Sequence, residues 1–384
     1  MATMPVAAVA TLALVQSWAG TDWTYSPPGV ASPIYHAVFV GCEGAIWIGG
    51  RHQGRPVVIK ITEAGEEEFI LPLNWNSAHS GRITTLTSGP DCSIWAGGYT
   101  SDQFAASRPA PGEETVGVST FHISSSGRVL SRLLLEDTGS TAPAAAAPLP
   151  DGGVAIARTL NWDNRIDLLD RDGNLSRFVT TGGPGEDIPS GLAHLAGRGY
   201  VLTGRLSRPG RGQEGFVQLF NEDFEPLGSP VRAGRHDGPS QAVDVSIHEE
   251  EQSVWVLGEQ AGLGAPWATR IDLVTDRSAI AKFETRTMTP RALVALNDGG
   301  AVSVFQELDG YASREALLVR LDRDANILGE FRFTAEEGIQ FDAIALTADE
   351  DAVIVAGSSG HRSTLGAGLV AKVSLEAISS SQER

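Results

Sequence analysis

Apolar positions along this chain fall into short runs that alternate or cluster over a few residues and then break at Gly, Asp, Asn or Glu. That is the pattern of strands joined by tight turns. One unit, a β-rich run, a turn and a second apolar run, recurs over residues 37–50, 84–98, 144–157, 191–204, 243–258, 292–305 and 343–357. A second hairpin follows each copy, over 57–70, 119–135, 165–179, 216–231, 269–283, 317–331 and 369–380. The turns of this second hairpin, at Glu63, Ser125, Asp172, Glu222, Asp276, Asp324 and Ser374, recur about every 50 residues, a spacing that belongs to repeat architectures. No helical period stands between the units. Each repeat therefore supplies four antiparallel strands, which predicts an all-β, seven-bladed β-propeller of four-stranded antiparallel blades.

The last copy is short of a fourth strand, because little chain remains after Ala377. Residues 12–26 have the form of a third-and-fourth-strand hairpin, with Trp23 and Tyr25 in its second half. The expectation is a ring closed by an N-terminal strand on the last blade, which removes an exposed sheet edge. The whole of 1–384 is read as one domain, with residues 26–34 a loop after the closing segment and 378–384 a flexible tail. Trp47, Trp95 and Trp255 occupy equivalent places on second strands and are expected to pack between blades.

The segments GAIWIGG (44–50) and CSIWAGG (92–98) look like the repeats of sensor-type and secreted propellers. LVRLDRDANIL (318–328) and IDLLDRDGNLS (166–176) look like the hairpin of secreted propeller repeats. On these motifs the chain resembles the bacterial β-propeller repeat proteins over nearly its full length. The resemblance implies architecture and leaves activity open, because the fold hosts many functions.

Strand alternation puts the turns between strands one and two, and three and four, on one face, and the connections between strands two and three and between blades on the other. The second face carries the longer loops, where binding residues concentrate. Its candidates are Phe104 in the long blade-two loop, Arg205, Arg208 and Arg211 in blade four, and Trp75 and Trp162. The two tryptophans stand in the echoing loops Asn74-Trp75-Asn76 and Asn161-Trp162-Asp163. Arginine forks suit carboxylate or phosphate, and a Trp plane flanked by amide and carboxylate groups suits a sugar ring. The starts of the innermost strands nominate His36, Arg82, Ser190, Gln241, Arg291 and Asp342 as a polar ring at the mouth of the central channel, able to hold a small ligand, a metal or water.

Other motifs carry less. Asp170-x-Asp172-x-Asn174 lacks the glycine and glutamate placement of a calcium loop and reads as a hairpin turn. The glycine-rich stretch from Gly182 to Asp187 precedes no helix that would present a phosphate site. No Ser or Cys stands in a nucleophile context, so no catalytic residue, metal ligand set or cofactor is assigned. Cys42 and Cys92, the two cysteines, lie in turns of adjacent blades; a disulfide between them and two free thiols both remain open.

The formal charge of −18 and pI near 4.8 disfavour nucleic acid and anionic lipid and favour basic partners. The apolar run Pro5–Val15 is too short to span a membrane and lacks the positive flank of a signal peptide. An extracellular or periplasmic location and a cytoplasmic one stay open, with a slight lean to the former. The leading functional reading is a non-enzymatic binding or assembly scaffold that presents its loop-rich face to a protein partner. The alternative is a glycan-binding or glycan-cleaving propeller, and a metal- or quinone-dependent enzyme ranks third.

Overall fold

A computed structural model describes residues 20–27, 33–73, 80–101, 115–138, 143–183, 185–208, 212–234, 238–260, 265–275, 277–283, 288–307, 315–335, 338–360 and 367–380. Every repeat folds into a four-stranded antiparallel sheet, and seven such sheets form a ring. In six of them the strand order follows the sequence. The seventh is completed by Thr21–Tyr25, which pairs antiparallel with Ala367–Ser374 from the other end of the chain. The fold is thus a seven-bladed β-propeller with the N-terminal closing strand that the sequence predicts.

A sheet with both faces apolar must cover both, and radial arrangement lets each blade cover its neighbours. The core accordingly divides into seven clusters among the described residues, one at each seam between consecutive blades. Second-strand residues Ile46, Ile94, Val154, Val201, Val254, Val302 and Val353 are all buried in these seams. Trp47, Trp95 and Trp255 are buried beside them. Trp95 and Trp255 also donate their indole N–H to the carbonyls of Gly152 and Gly299, in the first turn of the following blade, at 3.2 and 3.1 Å. The seam between blades one and two is tied differently. Cys42 and Cys92, in the first turns of those blades, are disulfide-bonded with their Cα atoms 5.4 Å apart.

The chain end differs from expectation. Residues 378–380, expected in a flexible tail, belong to the short helix Leu375–Ser380, and Ile378 is fully buried in the seam between blades six and seven. Arg320 of blade six donates to Ser379 Oγ at 2.9 Å. A Cβ at Gly329 would lie 2.2 Å from the Ile378 carbonyl oxygen, so the helix sits directly on the outer strand of blade six. A single turn and a half is too short to show a helical period, which is why the sequence pattern hides it.

Candidate functional site

The innermost strands Ile34–Val40, Ser80–Ser88, Ala145–Pro148, Ile188–Leu195, Ser240–His248, Met288–Ala295 and Ile339–Leu346 line the central channel. Six of the seven pair with their second strands through a register shift, a β-bulge that leaves one inner residue unpaired. The bulged residues are His36, Thr84, Ser190, Val243, Arg291 and Asp342. In blade three Ala144 takes the equivalent place, its N–H bonding the Ala157 carbonyl at 2.8 Å.

The repeat motif explains the bulge. Opposite it, the second strand carries Gly50, Gly98, Gly204, Gly258 or Gly357 in five of the blades. The kinked inner strand comes so close there that a Cβ at Gly50 would lie 2.1 Å from the Ile34 carbonyl oxygen, and one at Gly357 1.9 Å from that of Gln340. In those five blades the terminal glycine of the apolar run makes room for the bulge, blade six bulges opposite Phe305 instead, and the bulge re-aims a side chain into the channel.

Four of the six ring residues read from sequence, His36, Ser190, Arg291 and Asp342, stand at bulges and line a cavity of about 270 Å³ in the channel. Arg82 and Gln241 stand two residues before their bulges, at the outer lip. On one side of the channel the polar residues form an arc across four consecutive blades. Arg291 Nε donates to Gln306 at 2.9 Å. Asp342 accepts from Gln340 at 2.5 Å and from His36 Nδ1 at 3.0 Å. Burial would raise the Asp342 pKa, but the His36 and Gln340 hydrogen bonds and the charge of Arg291 outweigh it and hold the carboxyl below its usual range. With Asp342 an anion, His36 Nδ1 is the donor and its Nε2 faces Arg82 Nη1 across a long 3.5 Å contact. The Arg82 guanidinium also lies over the Tyr99 ring, 5.1 Å from its centroid. Gln241 at the far lip is occupied by Glu259 Oε1 at 2.6 Å.

One channel residue escaped the sequence reading. Asp244, just after the blade-five bulge, accepts the N–H of Val245 at 2.8 Å and, from the neighbouring blade, that of Leu293 at 2.8 Å. Burial nonetheless pushes its pKa up to about 7. The corresponding residues are Ala37, Thr85, Ala145, Gly191, Ala292 and Ala343. A lone carboxylate in that small-residue column was the available signal, and only a register that counts the bulge reveals it.

The loop-rich face carries the other candidates. Trp162 and Asn161 form a two-residue hairpin turn, with φ of +71° and +52°. The indole is 64% exposed, the most exposed tryptophan among the described residues. Asp163 follows it in the chain, and the N–H of Asp187, a fully buried residue, donates to the Trp162 carbonyl at 2.6 Å. Burial raises the Asp187 pKa despite hydrogen bonds from the Gly183 and Ser207 N–H groups, with the charge of Asp163 adding to the rise. Arg205 is tied to Glu186 at 2.6 Å, so its fork is not free. Trp75, Phe104 and Arg211 lie outside the described residues, as does the side chain of Arg208. Among the described residues no helix is long and apolar enough to cross a membrane, and no three His, Cys, Asp or Glu side chains gather as a metal site.

On the turn-rich face, Asp170 accepts the N–H groups of Asp172 and Asn174, the geometry of a hairpin turn. Ser93 and His122 are 2.7 Å apart there. Ser93 is buried and also bonded to the Pro90 carbonyl, and the His122 ring stacks on Trp95. That pair is packing, with no room for a substrate.

No family model and none of the curated proteins matches the chain. Solved structures do. A chain of the crystal structure of a mitotic checkpoint complex aligns over 98% of both chains at 10% identity, with a TM-score of 0.59. A protein of unknown function from Dyadobacter fermentans aligns over 93% of this chain and 100% of its own at 11% identity, TM-score 0.56. The WD40 domain of Pan2 from Neurospora crassa aligns over 89% of each at 11% identity, TM-score 0.55. The likeness is one of fold. At such identities it carries the seven-bladed ring and nothing about chemistry.

Proposed function

We propose that this chain is a non-enzymatic binding scaffold that presents its loop-rich face to a basic segment of a protein partner. The observation that carries this is Trp162, a large indole held out on a tight turn next to Asp163. A rigid aromatic with few rotamers to lose is the residue type that dominates interface energies. The adjacent Asp163 and the chain's net charge of −18 favour a Lys- or Arg-bearing partner, which an indole face also attracts. WD40 propellers among the similar folds are consistent with that use. The Cys42–Cys92 bond favours an oxidising compartment, extracellular or periplasmic. A glycan reading rests on Trp75 and Trp162 acting together; it stands second, since the described residues include only Trp162.

The test is a side-by-side capture from the native source with immobilised wild-type and Trp162→Ala protein, with photo-cross-linking from position 163. A partner held by wild type, cross-linked at 163 and weakened about 30-fold or more in Trp162→Ala is the expected result. Equal capture by both proteins, with no cross-link, rejects the assignment. Saturable sugar binding on a glycan array, lost in the same variant, would replace it with the glycan reading.

A further inference from the structure

The channel carries an inference independent of the rim. Its wall is two-sided. Blades six, seven and one present Arg291, Asp342 and His36, with Arg82 of blade two at the lip, while the opposite arc presents Ala144, Ser190 and Val243. The two carboxylates that face the channel already have partners: Asp342 is held by His36 and Gln340, and Asp244 by two backbone N–H groups. The donors are less complete. Arg291 uses Nε on Gln306 and has no protein acceptor at its two terminal nitrogens among the described residues. Arg82 Nε is buried with no acceptor, and across the channel so is Ser190 Oγ. Buried donors left without acceptors are costly, and here Arg291 and Ser190 line one space with Arg82 at its lip. Its volume, about 270 Å³, equals that of roughly nine water molecules at their liquid density.

We propose that this space takes the oxyanion head of a small metabolite, a carboxylate or phosphate group of a molecule with on the order of ten non-hydrogen atoms. The Arg291 guanidinium receives the anion, since a planar fork of this kind matches both oxyanions, and the Arg82 guanidinium adds positive charge at the lip. Ser190 Oγ donates to the ligand from the opposite wall. His36 and Asp342 act as positioning residues: the imidazole, fixed by its Nδ1–H bond to Asp342, directs Nε2 at Arg82 and holds that fork in place. The Ala144 and Val243 side receives the apolar part of the molecule.

Isothermal titration of the full-length protein with inorganic phosphate and with succinate, in separate arms, tests this. At least one probe should bind stoichiometrically with a Kd of about 1 mM or tighter, and the arm that succeeds identifies the head group. Arg291→Gln should weaken that binding roughly tenfold or more, and Ser190→Ala by about threefold. Arg291→Lys, which keeps the charge but not the fork, should fall between Gln and wild type. Each variant is read only alongside its thermal melt, and Ser190→Ala, a small change at a channel-facing site, covers the case of a misfolded Arg291 variant. Trp162→Ala should leave anion binding untouched, which separates this site from the rim. No saturable binding of either probe, or unchanged binding in folded Arg291→Gln and Ser190→Ala, overturns the proposal.

Discussion

Two blades have unusual outer strands, and they are unusual in opposite ways. Blade seven takes its outer strand from the far end of the chain, and that strand is anchored well beyond its own sheet. Trp23 donates to the Glu63 carbonyl at 3.0 Å, and its ring covers Gly65, where a Cβ would come within 2.8 Å. Tyr25 is buried in the seam with blade one and donates to Glu67 at 2.5 Å. Blade four has only Val231–Arg232 in the same place, with Val231 62% exposed. Its third strand is capped instead by turns: Leu227 N–H to the Leu219 carbonyl at 2.8 Å, Ala233 N–H to the Gly215 carbonyl at 2.9 Å, and the Gln218 amide to the Gly228 carbonyl at 3.2 Å. The seams are filled mainly by first, second and third strands, so an outer strand matters to the ring only where it locks one blade to the next.

The sharpest way to break that contrast is to remove the closing strand. A chain lacking residues 1–25 loses Trp23 and Tyr25 and exposes both the Ala367–Ser374 edge and the seam with blade one. It should show no cooperative thermal transition, or one lowered by well over the ~1 °C that a single kcal/mol shifts in a chain of 384 residues. A cooperative melt at the wild-type temperature would show that the ring closes without it. Next in size is the covalent tie at the neighbouring seam. Cys42 and Cys92 close a loop 50 residues apart in sequence, so the Cys42→Ser/Cys92→Ser double variant should lose about 2–4 kcal/mol in denaturant unfolding, mainly by freeing the unfolded chain. Reductant should destabilise wild type by a similar amount and leave the double variant unchanged.

How much of this could be read from the residues alone divides along the same line, between what repeats and what does not. The blades were legible because each must bury both faces, and that requirement writes the same apolar run seven times, with a terminal glycine in five of them. The closing strand was legible because the seventh copy lacked a partner and Thr21–Tyr25 matched the gap. What happens once left no period to detect: the Leu375–Ser380 helix, and the pairing of Cys42 with Cys92, for which adjacency in turns allowed two outcomes. The channel ring lay in between. His36, Ser190, Arg291 and Asp342 were found because inner strands start there. Arg82 and Gln241 are nominated on the same ground, the start of an inner strand, but stand two residues before their bulges. A bulge adds one residue to the inner strand and shifts the alternation, and the same shift hid Asp244.

The smallest expected effect sharpens the comparison from the blade-four side. If that outer strand contributes little to the ring, Val231→Lys should change unfolding free energy by no more than about 0.5 kcal/mol, the range of ordinary exposed positions. The side chain lies on the rim beside Leu227 and Ile280, both exposed, so lysine replaces a solvent-facing valine without opening a cavity, and its stem can lie along the same apolar groove. A loss of more than about 2 kcal/mol would mean that this two-residue strand holds its third strand in register as firmly as a full one. In that case the closing strand of blade seven would owe its importance to being an outer strand at all, and its contacts with Glu63, Gly65 and Glu67 would no longer distinguish it.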